Sequence, residues 1–107
     1  MDDPALDSDL RALAHPARRR IVQLCADTEL SVGELVQRTD LRQSTASQHL
    51  KVLRDAGLVT LRQEGTRRLY RVDFERLAQI RAALDALWEP KLAELKRQAE
   101  AAHGKDP

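Results

Sequence analysis

The hydrophobic period of this chain changes twice, and those two changes limit what it can fold into. Up to Gly57, apolar residues recur three and four apart, as on one face of a helix. From Leu58 to Val72 they fall in two short runs, and from Phe74 the helical spacing returns. The pattern therefore predicts a mainly α chain with one small β-hairpin set between helices. Only one Trp, one Tyr and one Phe occur among 107 residues, so Leu, Val, Ile and Ala must fill the core. That length suits one domain.

The spacing predicts a helix over Ala5–Ala14, with Leu6, Leu10 and Leu13 on one face. Residues 1–4 and 103–107 are expected to be flexible ends around a single domain at 5–102. Pro16 opens a second helix to about Ala26, because the first N–H of a helix needs no intrahelical partner. Ile21, Val22, Leu24 and Cys25 should point inward. Ser31-Val32-Gly33-Glu34 has the form of a capping box and opens a short third helix. A fourth helix begins near Arg42 or Gln43 and stops at Gly57, with Ala46, Leu50 and Leu53 apolar. Its opposite face carries Ser44, Ser47, Gln48 and Lys51, small or hydrogen-bonding residues where a solvated face more often carries Glu/Lys pairs. Leu58–Gln63 and Thr66–Val72 read as strands joined through Glu64-Gly65. Asp73 then caps a long helix with an apolar stripe of Phe74, Leu77, Ile80, Leu84, Leu87 and Trp88. Pro90 interrupts it, and Leu92 and Leu95 continue a helical stretch to about Ala102.

Charge is unevenly spread. Residues 1–40 carry a net −3, residues 41–72 a net +5 and residues 73–107 a net −1. A basic block inside a balanced chain points to a polyanion partner for that block, although a solvated surface accounts for charge alone equally well. The order of elements is that of a winged helix-turn-helix. In that arrangement the fourth helix enters the major groove and its outward side chains reach base edges, while the hairpin meets the neighbouring backbone. The candidate DNA-contacting residues are Arg42, Gln43, Ser44, Thr45, Ser47, Gln48 and Lys51 on the helix, with Arg62, Arg67 and Arg68 on the hairpin. The first helix (Leu6, Leu10, Leu13) and the long helix (Leu77, Ile80, Leu84, Leu87, Trp88) carry more apolar surface than so small a domain can cover. They are the expected dimer interface.

Several segments resemble the ArsR/SmtB-type winged-helix transcription regulators. Leu13-Ala14-His15-Pro16-Ala17-Arg18 is similar to the start of that family's second helix, and Leu30-Ser31-Val32-Gly33-Glu34-Leu35 to its third. Gln43-Ser44-Thr45-Ala46-Ser47-Gln48-His49-Leu50-Lys51-Val52-Leu53 resembles its recognition helix, followed by Asp55-Ala56-Gly57-Leu58-Val59. Glu64-Gly65-Thr66-Arg67-Arg68-Leu69-Tyr70 resembles its wing. The resemblance runs in order over roughly residues 5–90. It implies a homodimer on an imperfect palindrome, usually a repressor released by an effector. One departure is Arg42, where the family often places a capping Ser. Either Asp40 caps instead or Arg42 is recruited to a phosphate.

Many members of that family bind metals, but the familiar positions are altered here. A Cys-x-Cys pair on the third helix is replaced by Ser31 and Gly33, which offer no thiolate. Between Asp73 and Trp88, where Asp and His ligands are usual, there is no His. No metal or other cofactor is therefore expected. Cys25 reads as a buried structural thiol, His15 as a helix cap, His49 as a packing or phosphate-contacting residue, and His103 as part of the tail.

A single cysteine excludes an intrachain disulfide and fits a reducing cytoplasm. No apolar run approaches the ~20 residues of a membrane span, and the acidic start lacks the apolar region of a signal peptide. An enzyme is not expected: Ser47 and His49 do not face each other on a helix, and the four glycines are isolated. The reading is a cytoplasmic, homodimeric regulator on double-stranded DNA. Its rivals are a metal- or redox-responsive sensor with an unorthodox site, and a protein-interaction module that kept the fold but lost DNA binding.

Overall fold

In the computed structural model, which describes residues 3–104, eight elements follow in order. They are α1 (Pro4–Leu13), α2 (Pro16–Asp27), α3 (Val32–Arg38), α4 (Gln43–Asp55), β1 (Val59–Glu64), β2 (Arg67–Val72), α5 (Phe74–Asp85) and α6 (Glu89–Gly104). Four helix starts carry the side-chain caps that their orphaned N–H groups require. The Asp3 carboxylate accepts from Leu6 N, and His15 Nδ1 accepts from Ala17 N at 3.1 Å. Ser31 and Glu34 satisfy each other's backbone N–H at 3.2 and 3.1 Å, so the capping box is complete. Asp73 accepts from Arg76 N.

The fourth helix is the exception. Arg42 stands at its N-cap with no side-chain cap hydrogen bond, and Asp40 does not supply one. The turn before it is shaped by Thr39 instead. The Thr39 hydroxyl donates to Leu35 O at 2.8 Å and accepts from Leu41 N at 3.3 Å. At the far end, Gly57 adopts φ +78°, the left-handed stop that a Cβ would strain.

The hairpin pairs Val59 with Val72, Leu61 with Tyr70 and Gln63 with Arg68 across an antiparallel register. Leu30, just before α3, bridges to Tyr70 through two backbone hydrogen bonds and ties the wing to the α2–α3 loop. The core gathers Ile21, Leu24, Cys25, Leu30, Leu35, Leu50, Leu53, Leu58, Val59, Tyr70, Val72 and Ile80 into one cluster. Burial pushes the Cys25 thiol up to about 11, in keeping with a structural role.

Three expectations about the ends and the long helix change. Pro4 is the first residue of α1 rather than part of a loose end, and His103 and Gly104 close α6. Met1, Asp2 and residues 105–107 lie outside the described residues. The long helix stops at Asp85 and a new one starts at Glu89. Pro90 has no N–H to continue the ladder and is accommodated only in a first turn, so the break falls just ahead of it.

On α1 the buried residues are Asp9 and Ala12; Leu6 and Leu13 are half-buried, and Leu10 is 41% exposed. Asp9 is ion-paired with Arg76, which joins α1 to α5. Among the described residues no helix is long and apolar enough to cross a membrane.

Candidate nucleic-acid interface

The fourth helix is fixed by one row of side chains and offers the other to solvent. Ala46, His49, Leu50 and Leu53 are buried. Ser44, Gln48 and Lys51 lie opposite that row and are exposed, while Gln43 and Ser47 flank it on the side of the wing. Thr45 is half-buried on the other flank. Gln43 and Ser47 line a groove of about 490 Å³ whose far wall is Thr66, Arg67, Arg68 and Tyr70. Of the residues read from the helix, Gln43 and Ser47 therefore share one surface with the hairpin tip, and Thr45 does not.

The three wing arginines separate into two kinds, and strand register is the reason. Gln63 and Arg68 lie on the strand face that carries Leu61 and Tyr70, toward α4. Arg62 and Arg67 lie on the opposite face, where acidic side chains meet them. Arg62 bonds Glu29 at 2.8 Å and Glu64 at 3.0 Å, and Arg67 bonds Glu34 at 2.9 Å. Glu34 is at the same time the capping-box carboxylate. The Ser31 backbone N–H and hydroxyl, and after them the Arg67 guanidinium, hold it below its ordinary range. Arg68 has no ion pair among the described residues. Lys51 pairs with Asp55 at 2.8 Å, but both are well exposed, so water competes with the contact.

Two functional candidates escaped the sequence reading. Arg54 is exposed, without an ion pair among the described residues, and lines a second hollow with Ser47, Lys51 and Tyr70. The net charge of residues 41–72 was the signal for it, but no motif singled it out. Arg18 is the other. Its guanidinium donates to Ala12 O and Arg11 O at the end of α1, and reaches His49 Nδ1 at 3.5 Å. The His15 and His49 rings meet at a tilt, 4.6 Å between centroids and 54° between planes. Burial first, then His15 and Arg18, lowers the His49 pKa. The neutral imidazole thus packs the helix against the α1–α2 corner instead of reaching outward.

Comparisons with known proteins place the chain among helix-turn-helix regulators. A family model described as a helix-turn-helix domain matches residues 13–62. The chain is 45% identical over 82 residues to the HTH-type transcriptional regulator Rv2034 of Mycobacterium tuberculosis, a span that covers 77% of each chain. It is 44% identical over 79 residues to the biofilm growth-associated repressor of Agrobacterium fabrum, covering 74% of this chain and 68% of that one. An ArsR-like transcriptional regulator from Rhodococcus sp. RHA1 superposes with a TM-score of 0.75 at 26% identity, over 89% of this chain and 92% of that one. The chain belongs to the ArsR family of transcriptional regulators.

As an ArsR regulator it is a DNA-binding protein and not an enzyme. The metal chemistry that the family implies does not fit the residues present. Ser31 is engaged in the capping box, Gly33 has no side chain, and among the described residues no three His, Cys, Asp or Glu are grouped to hold an ion. Cys25 is buried in the hydrophobic core.

Proposed function

We propose that this ArsR regulator acts in the cytoplasm as a homodimeric repressor on an inverted-repeat operator. One observation carries the reading: the outward row of α4, with Ser44, Gln48 and Lys51, is exposed and continuous with a wing surface where Arg68 stands unpaired among the described residues. Gln48 reads a base edge, Ser44 and Ser47 let the helix approach the groove floor, and Arg42, Arg54, Arg68 and Lys51 anchor phosphates. Gln43 and Thr45 contact the backbone at the start of the helix. Arg62 and Arg67 join the anchors only after exchanging their carboxylates for phosphate.

Dimerisation through α1 and α5 is supported by apolar side chains that the monomer leaves in water. Leu10 on α1 is 41% exposed, and Leu87 and Trp88, which fall in the turn after α5 and not on the long helix as expected, are 68% and 44% exposed. Leu6, Leu13, Leu77 and Leu84 are only partly covered, whereas Ile80 is already buried in the monomer's own core. Two recognition helices related by a two-fold axis require half-sites centred about 10–10.5 bp apart, or a multiple of that. Repression is the role named for the Agrobacterium relative.

A footprint over the protein's own promoter region tests the reading, with zinc, nickel or a chelator added in turn. Symmetric protection that ignores the metals is expected. Protection of one half-site only would refute the dimer. A metal that moved operator affinity about tenfold, ~1.4 kcal/mol of coupling, would refute metal independence.

A further inference from the structure

The fourth helix is tied to the α1–α2 corner through basic side chains alone. His49 belongs to the buried row of α4, beside the apolar Ala46, Leu50 and Leu53. Arg18 of α2 spans the corner. Its guanidinium donates to Ala12 O and Arg11 O at the end of α1 and reaches His49 Nδ1 at 3.5 Å. His15, at the start of α2, lies against the His49 ring and accepts from Ala17 N through its own Nδ1 at 3.1 Å. A guanidinium and a backbone N–H can only donate. Both contacts therefore need a bare Nδ1, with the proton of each neutral ring on Nε2. A protonated imidazole has no bare nitrogen. Protonation of His49 would set an N–H against the Arg18 donor, and protonation of His15 would remove the α2 cap. Either would place a second cation beside Arg18.

Burial, then His15 and then Arg18 oppose a charge on His49. Acids on the surrounding elements are engaged elsewhere: Asp9 of α1 with Arg76, Glu34 of α3 with Arg67, Asp55 of α4 with Lys51 and Glu64 of β1 with Arg62. Arg38 of α3 is exposed. We infer that Arg18, His15 and His49 form a proton-sensitive clamp on the fourth helix: neutral rings hold α4 where its outward row reads DNA, and protonation releases it and lowers operator affinity. Ser44, Gln48 and Lys51 lie opposite the buried row, so a shift of the His49 ring carries Gln48 with it. A hydrogen bond to a base edge fails within about 1 Å of displacement, whereas attraction to phosphates reaches much further. The inference rests on the reading of α4 as the DNA-contacting helix and adds control by pH. Its sign is opposite to that of a histidine at a phosphate, where each added proton tightens binding.

Fluorescence anisotropy with a fragment of the protein's own promoter region, and with random DNA of equal length, tests it between about pH 5.5 and 7.5 at constant salt. Circular dichroism at each pH checks that the chain is folded. Affinity for the promoter fragment is expected to fall at least about tenfold toward the acid end, while affinity for random DNA holds or rises. His49→Gln with His15→Asn keeps an acceptor at each place and leaves nothing to titrate. This pair should bind within about threefold of wild type at the neutral end and lose the pH dependence. Arg18→Lys cannot bridge all three acceptors, and should weaken promoter binding at neutral pH without weakening random DNA. Nitrogen NMR of the wild-type imidazoles needs no variant: His49 should hold its proton on Nε2 and titrate below the ordinary 6.5. Promoter binding that tightens as pH falls, a parallel loss on random DNA, an unchanged slope in the double variant, or a proton on His49 Nδ1 would each overturn the clamp and leave the DNA reading standing. No binding to either DNA at neutral pH overturns both.

Discussion

Arg67 and Arg68 are adjacent in sequence but differ in what they can do, because alternate residues of a strand face opposite ways. Arg68 faces the recognition helix without an ion pair among the described residues, while Arg67 is held by Glu34. Arg68→Ala should therefore lower the salt dependence of DNA binding by about one counterion and weaken all sequences alike. Arg67→Ala should do so by less; equal slopes for the two variants would contradict the division. Gln48→Ala should behave differently from both, costing about 1–3 kcal/mol at the cognate site and relaxing preference at one base pair per half-site. An equal loss on random DNA would make Gln48 an anchor. His49 carries a prediction about pH. Burial lowers its pKa in the folded chain from the ordinary 6.5, so below about pH 6.5 the unfolded chain binds more protons. Stability present above that value is lost as pH falls toward the folded pKa. Urea midpoints of wild type and His49→Gln, compared between about pH 5 and 7, should converge at the acid end; a constant difference would remove His49 from the linkage.

At the scale of elements, the fourth helix is the one whose start is left incomplete. Arg42 occupies the cap without capping. A Ser there would accept from the first-turn N–H groups, so Arg42→Ser should raise stability by about 0.5–2 kcal/mol in a urea titration. The same change should weaken DNA binding, since a cation at the helix start is lost. A stability gain with unchanged affinity would mean that Arg42 is not a phosphate contact. The capping box of α3 shows the reverse economy: Glu34 closes the helix and also restrains a wing arginine, so one carboxylate couples two elements. Caps, breaks and strands such as these were legible from sequence because each depends on residues at most a few positions apart. Ser31 with Glu34, Pro16, Pro90 and Gly57 all acted locally. The Asp40 alternative failed, since the start of α4 receives no side-chain cap hydrogen bond.

For the whole molecule, the surface proposed to meet a second copy is one that the monomer leaves partly uncovered. Leu10 is 41% exposed on α1, beside a half-buried Leu6 and Leu13. Because it makes little use of the monomer's core, Leu10→Glu should leave the fold intact by circular dichroism while yielding monomer and losing cooperative operator binding. A dimeric Leu10→Glu would exclude α1 from the interface. The Asp9–Arg76 pair, 67 residues apart in sequence, holds α1 in register with α5, so the two helices present that surface as a unit.

Local sequence by itself determined the helices, the hairpin, the polar face of α4 and the absence of the family's usual metal ligands, since periodicity, capping and residue type are short-range properties. The tertiary structure alone decided which cations are available. Arg62 and Arg67 meet Glu29 and Glu34 at 33 residues' distance, Arg18 meets His49 at 31, and no spacing in the sequence announces either contact. It also decided that Ile80 belongs to the core and Leu10 to the surface, because a stripe on a helix says which residues share a face but not how far the neighbouring helix reaches across it.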